Sequence, residues 1–165
     1  MIRVPAFAAP LVVVLIEWVM IGSRLPDRVA THFGADGQPN GWMSNTGSFG
    51  FQVVLLAGMG AVFTLVVPAL VRSAPTLVNL PNRDYWLAPE RRDEGIAKIT
   101  NWMAGFWLVF GTGIALVIAF AMSVNLGPEP HVLPTGPFLG VVGGLVLFTF
   151  GWLAAMTAAF RIPSS

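Results

Sequence analysis

The chain has 165 residues, of which 55% are hydrophobic and only 10% charged, and its mean hydropathy is +0.73. Soluble domains carry roughly 25% charged residues, so most of this surface faces something other than water. A net charge of +1 provides no field that would attract nucleic acid. The absence of cysteine excludes disulfides, thiolate metal sites and thiol catalysis.

Four apolar blocks predict an all-α integral membrane protein, with a four-transmembrane-helix bundle in a single membrane domain over residues 1–165. The predicted spans are residues 4–22, 49–71, 101–123 and 138–160. About twenty residues at about 1.5 Å each cross the roughly 30 Å hydrocarbon core of a bilayer. The first block could be a signal peptide, but Glu17 and Trp18 interrupt it and no A-x-A-like site precedes Arg24. We therefore expect a retained helix.

The distribution of lysine and arginine predicts the orientation, because cytoplasmic loops carry an excess of both. With the N-terminus inside, seven of the nine basic residues are cytoplasmic: Arg3, Arg72, Arg83, Arg91, Arg92, Lys98 and Arg161. Only Arg24 and Arg28 are then outside. We expect both termini inside (N-in/C-in), residues 72–100 as a cytoplasmic loop, and residues 23–48 and 124–137 outside.

The outer segment after the first span contains LPDRVATHFGADGQPNGWMS, residues 25–44. Its glycines and prolines predict turns rather than a helix. Phe33 and Trp42 among these turns indicate a structured extracytoplasmic cap rather than a loose tether. The candidate residues for binding a ligand or partner on the outer face are His32, Phe33, Asp36, Trp42, Glu17 and His131.

Glu17 is the most unusual of these candidates, since a carboxylate within a span is costly unless it faces a bundle interior or water. It lies about 7 Å below the outer end of its helix at about 1.5 Å per residue. One interpretation is a proton or cation relay, or a contact to a polar ligand. The other is a hydrogen-bonded glutamate that locks helix packing or extends to the headgroups.

His32, Asp36 and His131 all fall on the predicted outer face, and these ligand types suit zinc or another first-row metal. The two histidines come from separate loops, and no H-x-x-x-H spacing supports a site. We expect His32 to satisfy backbone groups within the cap. The sequence contains no haem, zinc or phosphate-loop motif and no catalytic constellation, so we predict no metal, no cofactor and no enzymatic activity.

The predicted cytoplasmic loop contains NLPNRDYWLAPERR, in which arginines alternate with acidic and aromatic residues. The basic cluster would suit anionic headgroups or an acidic partner, or it only fixes the topology. Its acidic neighbours argue against a nucleic-acid site. The candidate partner-binding residues are Asn82, Arg83, Tyr85, Trp86, Glu90, Arg91 and Arg92.

Two motifs resemble the SdpI-type bacterial membrane protein family. The first is LPDRVATHF…GW, which is similar to the domain of unknown function at the head of those proteins; the matching residues are Leu25, Pro26, Val29, His32, Phe33, Gly37, Gly41 and Trp42. The second is NLPNRDYWLAPERR, similar to a segment after the second span in a shorter branch. The resemblance implies a multi-pass protein of the bacterial cytoplasmic (inner) membrane.

Characterised members of that family protect a producing bacterium against a secreted toxic peptide and sequester a cytoplasmic regulator at the membrane. The resemblance therefore implies peptide-toxin immunity or membrane signalling, with the cap contacting the peptide and the cytoplasmic loop contacting the regulator. The alternative is an accessory subunit of a larger membrane complex, which would leave a stripe of small residues unpaired in its own bundle. A third possibility is a proton-coupled transporter that uses Glu17.

Overall fold

The structure, a computed structural model, describes residues 2–162. Its helices are α1 (Arg3–Ile21), α2 (Asn45–Ser73), α3 (Arg83–Trp86), α4 (Arg92–Ser123) and α5 (Thr135–Ala159). All except the short α3 are long and apolar enough to cross a membrane. The prediction of four such helices is confirmed, and the chain is a mostly helical, multi-pass membrane protein.

Helices α1, α2 and α4 form the centre of the bundle, because α1 packs against both of the others. Val14 of α1, Leu56 of α2 and Trp107 of α4 are fully buried in one apolar cluster. Gly60 permits this packing, since a Cβ added there would lie 2.9 Å from Trp107 Nε1. Small residues at helix contacts allow the close approach that stabilises helix pairs in lipid.

Helix α5 lies at the periphery, against α4, and none of its residues is buried. Two glycines of α4 make room for it. A Cβ on Gly105 would lie 3.1 Å from the Trp152 ring, and one on Gly113 would lie 2.5 Å from Leu145. The contact also includes the edge-to-face pair of Trp102 and Trp152, whose ring centroids are 4.9 Å apart.

Helix α2 contains one π-helical turn, Val62–Val66, directly before Pro68. Proline has no N–H and crowds the carbonyl four residues earlier, so a regular α-helix is disturbed at this point. In the π turn the Val67 N–H donates to the Val62 carbonyl, and the Thr64 hydroxyl donates to the Gly60 carbonyl at 2.7 Å. The disturbance expected at Pro68 therefore takes the form of a π turn.

The segment between α1 and α2 forms an antiparallel hairpin of β1 (Arg28–Phe33) and β2 (Pro39–Ser44). The all-α prediction was wrong here. β-Branched Val29 and Thr31 favour an extended strand, and Gly37 closes the turn with a φ of 79°, a left-handed conformation that glycine adopts without strain. The end of the bundle that carries this hairpin, residues 28–44, is called the cap end below.

The other end, called the loop end below, carries residues 74–91. It is compact, because Leu80, Trp86 and Phe160 pack in one buried cluster with residues of α2 and α4. Gly95 at the start of α4 is essential to this packing, since an added Cβ would lie 2.1 Å from the Trp86 carbonyl oxygen. Gly95 is thus the residue that lets α3 contact the start of α4.

Candidate functional site

A cleft of about 730 Å³ lies between the hairpin and the cap-end parts of α2, α4 and α5. Its wall is mainly apolar. Phe33 and Met43 contribute from the hairpin, Phe51 from α2, Ala121 from α4 and Phe138 from α5. A largely apolar cleft with a few polar groups is the usual form of a binding site for a small or amphipathic ligand. We call it the cap cleft.

Glu17 and Gln52 form a buried polar pair beside the cap cleft. The two side chains are only 5% and 3% exposed, and Gln52 Nε2 donates to Glu17 Oε1 at 3.2 Å. Gln52 also contributes to the cleft wall. Glu17 Oε2 and Gln52 Oε1 have no hydrogen-bond partner within residues 2–162. The pair joins α1 to α2, which supports the interpretation of Glu17 as a buried, packed residue rather than one that extends to the headgroups.

Hydrogen bonds at the start of α2 set the position of α2 relative to α1. Ser44 caps the helix, with its hydroxyl accepting from the Gly47 N–H at 3.1 Å. The next residue, Asn45, donates from its side chain to the Gly22 carbonyl at 2.8 Å and from its backbone to the Asp27 carbonyl at 2.9 Å. These bonds hold the ends of α1 and α2 together, and so place Glu17 opposite Gln52.

Two further contacts hold the hairpin over the bundle. The Asn125 amide accepts from Ala30 N at 2.7 Å and donates to the Ala30 carbonyl at 3.1 Å, so it pairs with the edge of β1 as a neighbouring strand would. The Leu133 N–H donates to the Gly37 carbonyl at 2.9 Å. These hydrogen bonds therefore fasten the segment between α4 and α5 to the hairpin, which covers the cleft.

The structure places the predicted residues of the cap in different environments. Phe33 lines the cleft, and so does His32, whose Nδ1 pairs with the side chain of Asn40. The expected local partner of His32 is thus a side chain and not a backbone group. Asp36 is exposed and accepts from Gln38 N at 3.0 Å, which is a turn contact. Trp42 is 45% exposed, with the Arg28 guanidinium 5.9 Å from its ring centroid.

His131 lies in the segment before α5, with its Nδ1 buried and unpartnered among the described residues and its Nε2 3.9 Å from Glu129 Oε1. It is not part of the cap-cleft wall described above. Across residues 2–162, no group of three or more His, Cys, Asp or Glu side chains is arranged to hold a metal ion.

At the loop end, several predicted partner-binding residues make hydrogen bonds within the fold. Asn82 Nδ2 and Trp86 Nε1 both donate to the Phe160 carbonyl at 2.9 Å, and Trp86 is buried. Arg92 donates to the Arg72 carbonyl at 2.8 Å. This segment therefore holds the last turn of α5 in place.

The remaining predicted residues of the loop end reach the surface. Arg83 is half-buried and bonds to Asp84 at 3.1 Å, and Tyr85 is half-buried under the Arg91 guanidinium, 4.3 Å from its ring centroid. Glu90 and Arg91 are exposed. Of the predicted set, these two offer the freest surface to a partner.

Gln52 and Asn125 were not predicted as functional residues, although the sequence contains a signal for one of them. Gln52 is a strongly polar residue within an apolar span, and such residues face protein rather than lipid. Asn125 follows α4 in an ordinary-looking loop, and only the pairing with Ala30 reveals its role.

Comparison with protein families gives one match: residues 7–56 match the model of a domain of unknown function (DUF1648), which is found in SdpI-like membrane proteins. No curated protein matches the chain, and no solved structure matches it. The matched range contains Glu17, Gln52 and the whole hairpin. The chain is thus similar to that family over α1, the hairpin and the first part of α2.

Proposed function

We propose that the chain is a non-enzymatic, SdpI-like membrane protein that binds an apolar peptide in the cap cleft and so provides immunity to it. The observation that carries the proposal is the apolar cleft closed at the cap end by the hairpin, since the hairpin bears the motif of the resemblance. The cleft lies at the cap end, which is predicted to lie outside, where a secreted peptide would arrive. The hydrogen bonds of Asn125 and Leu133 to the hairpin would favour affinity, because a wall already held in place loses little conformational freedom on binding.

The test is a growth assay in a bacterium from which the chain has been deleted. The strain is complemented with wild type, Ala121→Phe or Ala155→Phe and challenged with a panel of secreted apolar peptides. Ala121 lines the cleft, and a phenyl ring there would occupy part of it, whereas Ala155 is exposed on α5 away from the cleft. We expect wild type and Ala155→Phe to restore growth and Ala121→Phe to fail.

Equal expression of the two variants in membranes is the control for misfolding. Sensitivity that is the same with and without the chain, across the whole panel, would contradict the proposal. If the protein also signals, it binds a cytoplasmic regulator at the loop end. Charge reversal at the exposed Glu90 and Arg91 should then reduce recruitment of that regulator to the membrane.

A second candidate, an accessory subunit of a larger membrane complex, is favoured by the outer face of α5. A Cβ added at five of its glycines meets nothing within 4 Å among the described residues: Gly136, Gly140, Gly143, Gly144 and Gly151. This is the unpaired stripe of small residues that a subunit would present to another span. If the stripe is an interface, Gly144→Leu should release a partner chain that wild type retains through mild-detergent purification, and Gly58→Leu on α2 should not.

A further inference from the structure

We propose that the Glu17–Gln52 pair selects the occupant of the cap cleft, and that this occupant is an apolar peptide segment which brings an unpaired main-chain N–H to Gln52. The proposal rests on the proposed function, because it names the ligand class of the same cleft. It arises from the juxtaposition of the unpartnered, buried Gln52 Oε1 with an apolar wall to which Gln52 itself contributes.

The Glu17–Gln52 pair leaves a hydrogen-bond acceptor without a partner. Gln52 donates one N–H of Nε2 to Glu17 Oε1, and Gln52 Oε1, an amide oxygen that can only accept, has no partner within residues 2–162. Buried acceptors without a donor are costly, so an occupant that supplies a donor is favoured over one that supplies another acceptor. The pair therefore favours occupants that donate a hydrogen bond over occupants that can only accept one.

Gln52 lies in the apolar part of the cleft wall. Its neighbour Phe51 and the residue one turn earlier, Ser48, also line the cleft, and the Ser48 hydroxyl is already bonded to the Asn45 carbonyl at 2.7 Å. Gln52 lies about 10 Å from the start of α2 at about 1.5 Å per residue, within the predicted span of residues 49–71. An occupant at that depth meets Gln52 in apolar surroundings, where a hydrogen bond is strong.

The chemistry of the possible occupants decides between them. A lipid acyl chain fills apolar space, but it has no donor at this depth. A peptide segment without secondary structure carries free N–H groups along its length, and its apolar side chains suit the aromatic and aliphatic wall. A peptide can thus place apolar side chains against the cleft wall and also donate an N–H to Gln52.

The test uses two matched probes and the full chain in vesicles of phosphatidylethanolamine and phosphatidylglycerol. One probe is acetyl-tetraleucine amide with a diazirine leucine; the other has every main-chain N–H methylated. After irradiation, mass spectrometry maps the labelled residues of the chain. We expect the N–H probe to label the cleft wall at about three- to tenfold lower concentration than the methylated probe, the effect of one neutral hydrogen bond.

Two variants locate the effect. Gln52→Met removes the acceptor with little change in size and should abolish the difference between the probes. Glu17→Gln still offers an oxygen to Gln52 Nε2, so the preference should persist.

Equal labelling of the wild-type cleft by both probes would overturn this inference while leaving the proposed function standing. Absence of cleft labelling by either probe would overturn both, as would a photoactivatable lipid that labels the cleft and is not displaced. The comparison of the two probes on the wild-type chain needs no variant, so a folding defect in Gln52→Met would not change its outcome.

Discussion

Asn125 satisfies both backbone groups of Ala30 from a single side chain, and it also donates to the Met122 carbonyl at 3.2 Å. We predict that Asn125→Ala destabilises the protein by about 2–4 kcal/mol, since a buried polar group without a partner costs about 1–3 kcal/mol. The matched control is Asn101→Ala, at an exposed position on α4, the helix that Asn125 follows.

Unfolding in detergent micelles measures the difference, and hydrogen exchange at Ala30 shows its location. Asn125→Asp keeps the shape but loses the donor and should behave like the alanine variant. A loss of stability equal to that of Asn101→Ala would show that the Ala30 contact does not hold the hairpin.

The contrast between Glu17 and Asn125 shows how far single residues can be interpreted from sequence. Glu17 stands out because its charge conflicts with its apolar surroundings, and the structure does place it in a buried polar contact. Its partner, 35 residues away, depends on the register between two helices. The role of Asn125 depends on a hairpin 95 residues away, and no local pattern encodes that distance.

Among the secondary-structure elements, the turn of the hairpin is where we expect a substitution to destabilise the cap most. Gly37 has a φ of 79°, and an added Cβ would lie 2.4 Å from the Leu133 carbonyl oxygen. We predict that Gly37→Ala destabilises the cap by about 1–3 kcal/mol, because it combines a left-handed backbone with a clash. Gly136→Ala, where an added Cβ has open space, should change stability little.

Limited proteolysis of both glycine variants in vesicles, with protease added at the cap end, measures the opening of the hairpin. We expect faster cleavage near residue 37 in Gly37→Ala than in wild type. Cleavage at the wild-type rate would mean that the contact between the turn and Leu133 is dispensable.

The long helices were predictable because each is an apolar block, and a bilayer leaves the backbone few alternatives to a helix. The hairpin was not predicted, since its glycines and prolines indicate turns and outweighed the strand preference of Val29, Thr31, Phe33 and Trp42. A two-stranded hairpin is marginal by itself, and this one depends on Asn125 and Leu133, which follow α4. Its stability is therefore a property of the tertiary structure.

At the scale of the whole molecule, the predicted orientation places the hairpin outside and residues 74–91 inside. The absence of cysteine makes this simple to test with single-cysteine variants. Gln38→Cys and Asp93→Cys both lie at exposed positions, at the cap end and the loop end. In intact cells, a membrane-impermeant maleimide should label only Gln38→Cys, and Asp93→Cys should react only after permeabilisation. The reverse pattern would show that the cap faces the cytoplasm.

The cleft is a property of the whole bundle, because it requires residues from the hairpin, α2, α4 and α5 together. The sequence indicated the hairpin side of the cleft through Phe33 and His32. Phe138 and Ala121 are ordinary residues of apolar spans, and their convergence on Phe33 depends on the packing of the bundle. Hydropathy does not specify which faces of the helices meet.

The most direct measurement of the central claim is peptide binding to the cap cleft of the full chain in vesicles. An environment-sensitive bimane label is attached at Phe138→Cys, in the cleft wall, or at Phe150→Cys, which is 67% exposed on the same helix. Titration with an apolar leucine-rich peptide should shift the emission of the first label with a saturable curve and leave the second unchanged. Equal, non-saturating shifts at both positions would show only partitioning of the peptide into lipid, and would contradict a binding site in the cleft.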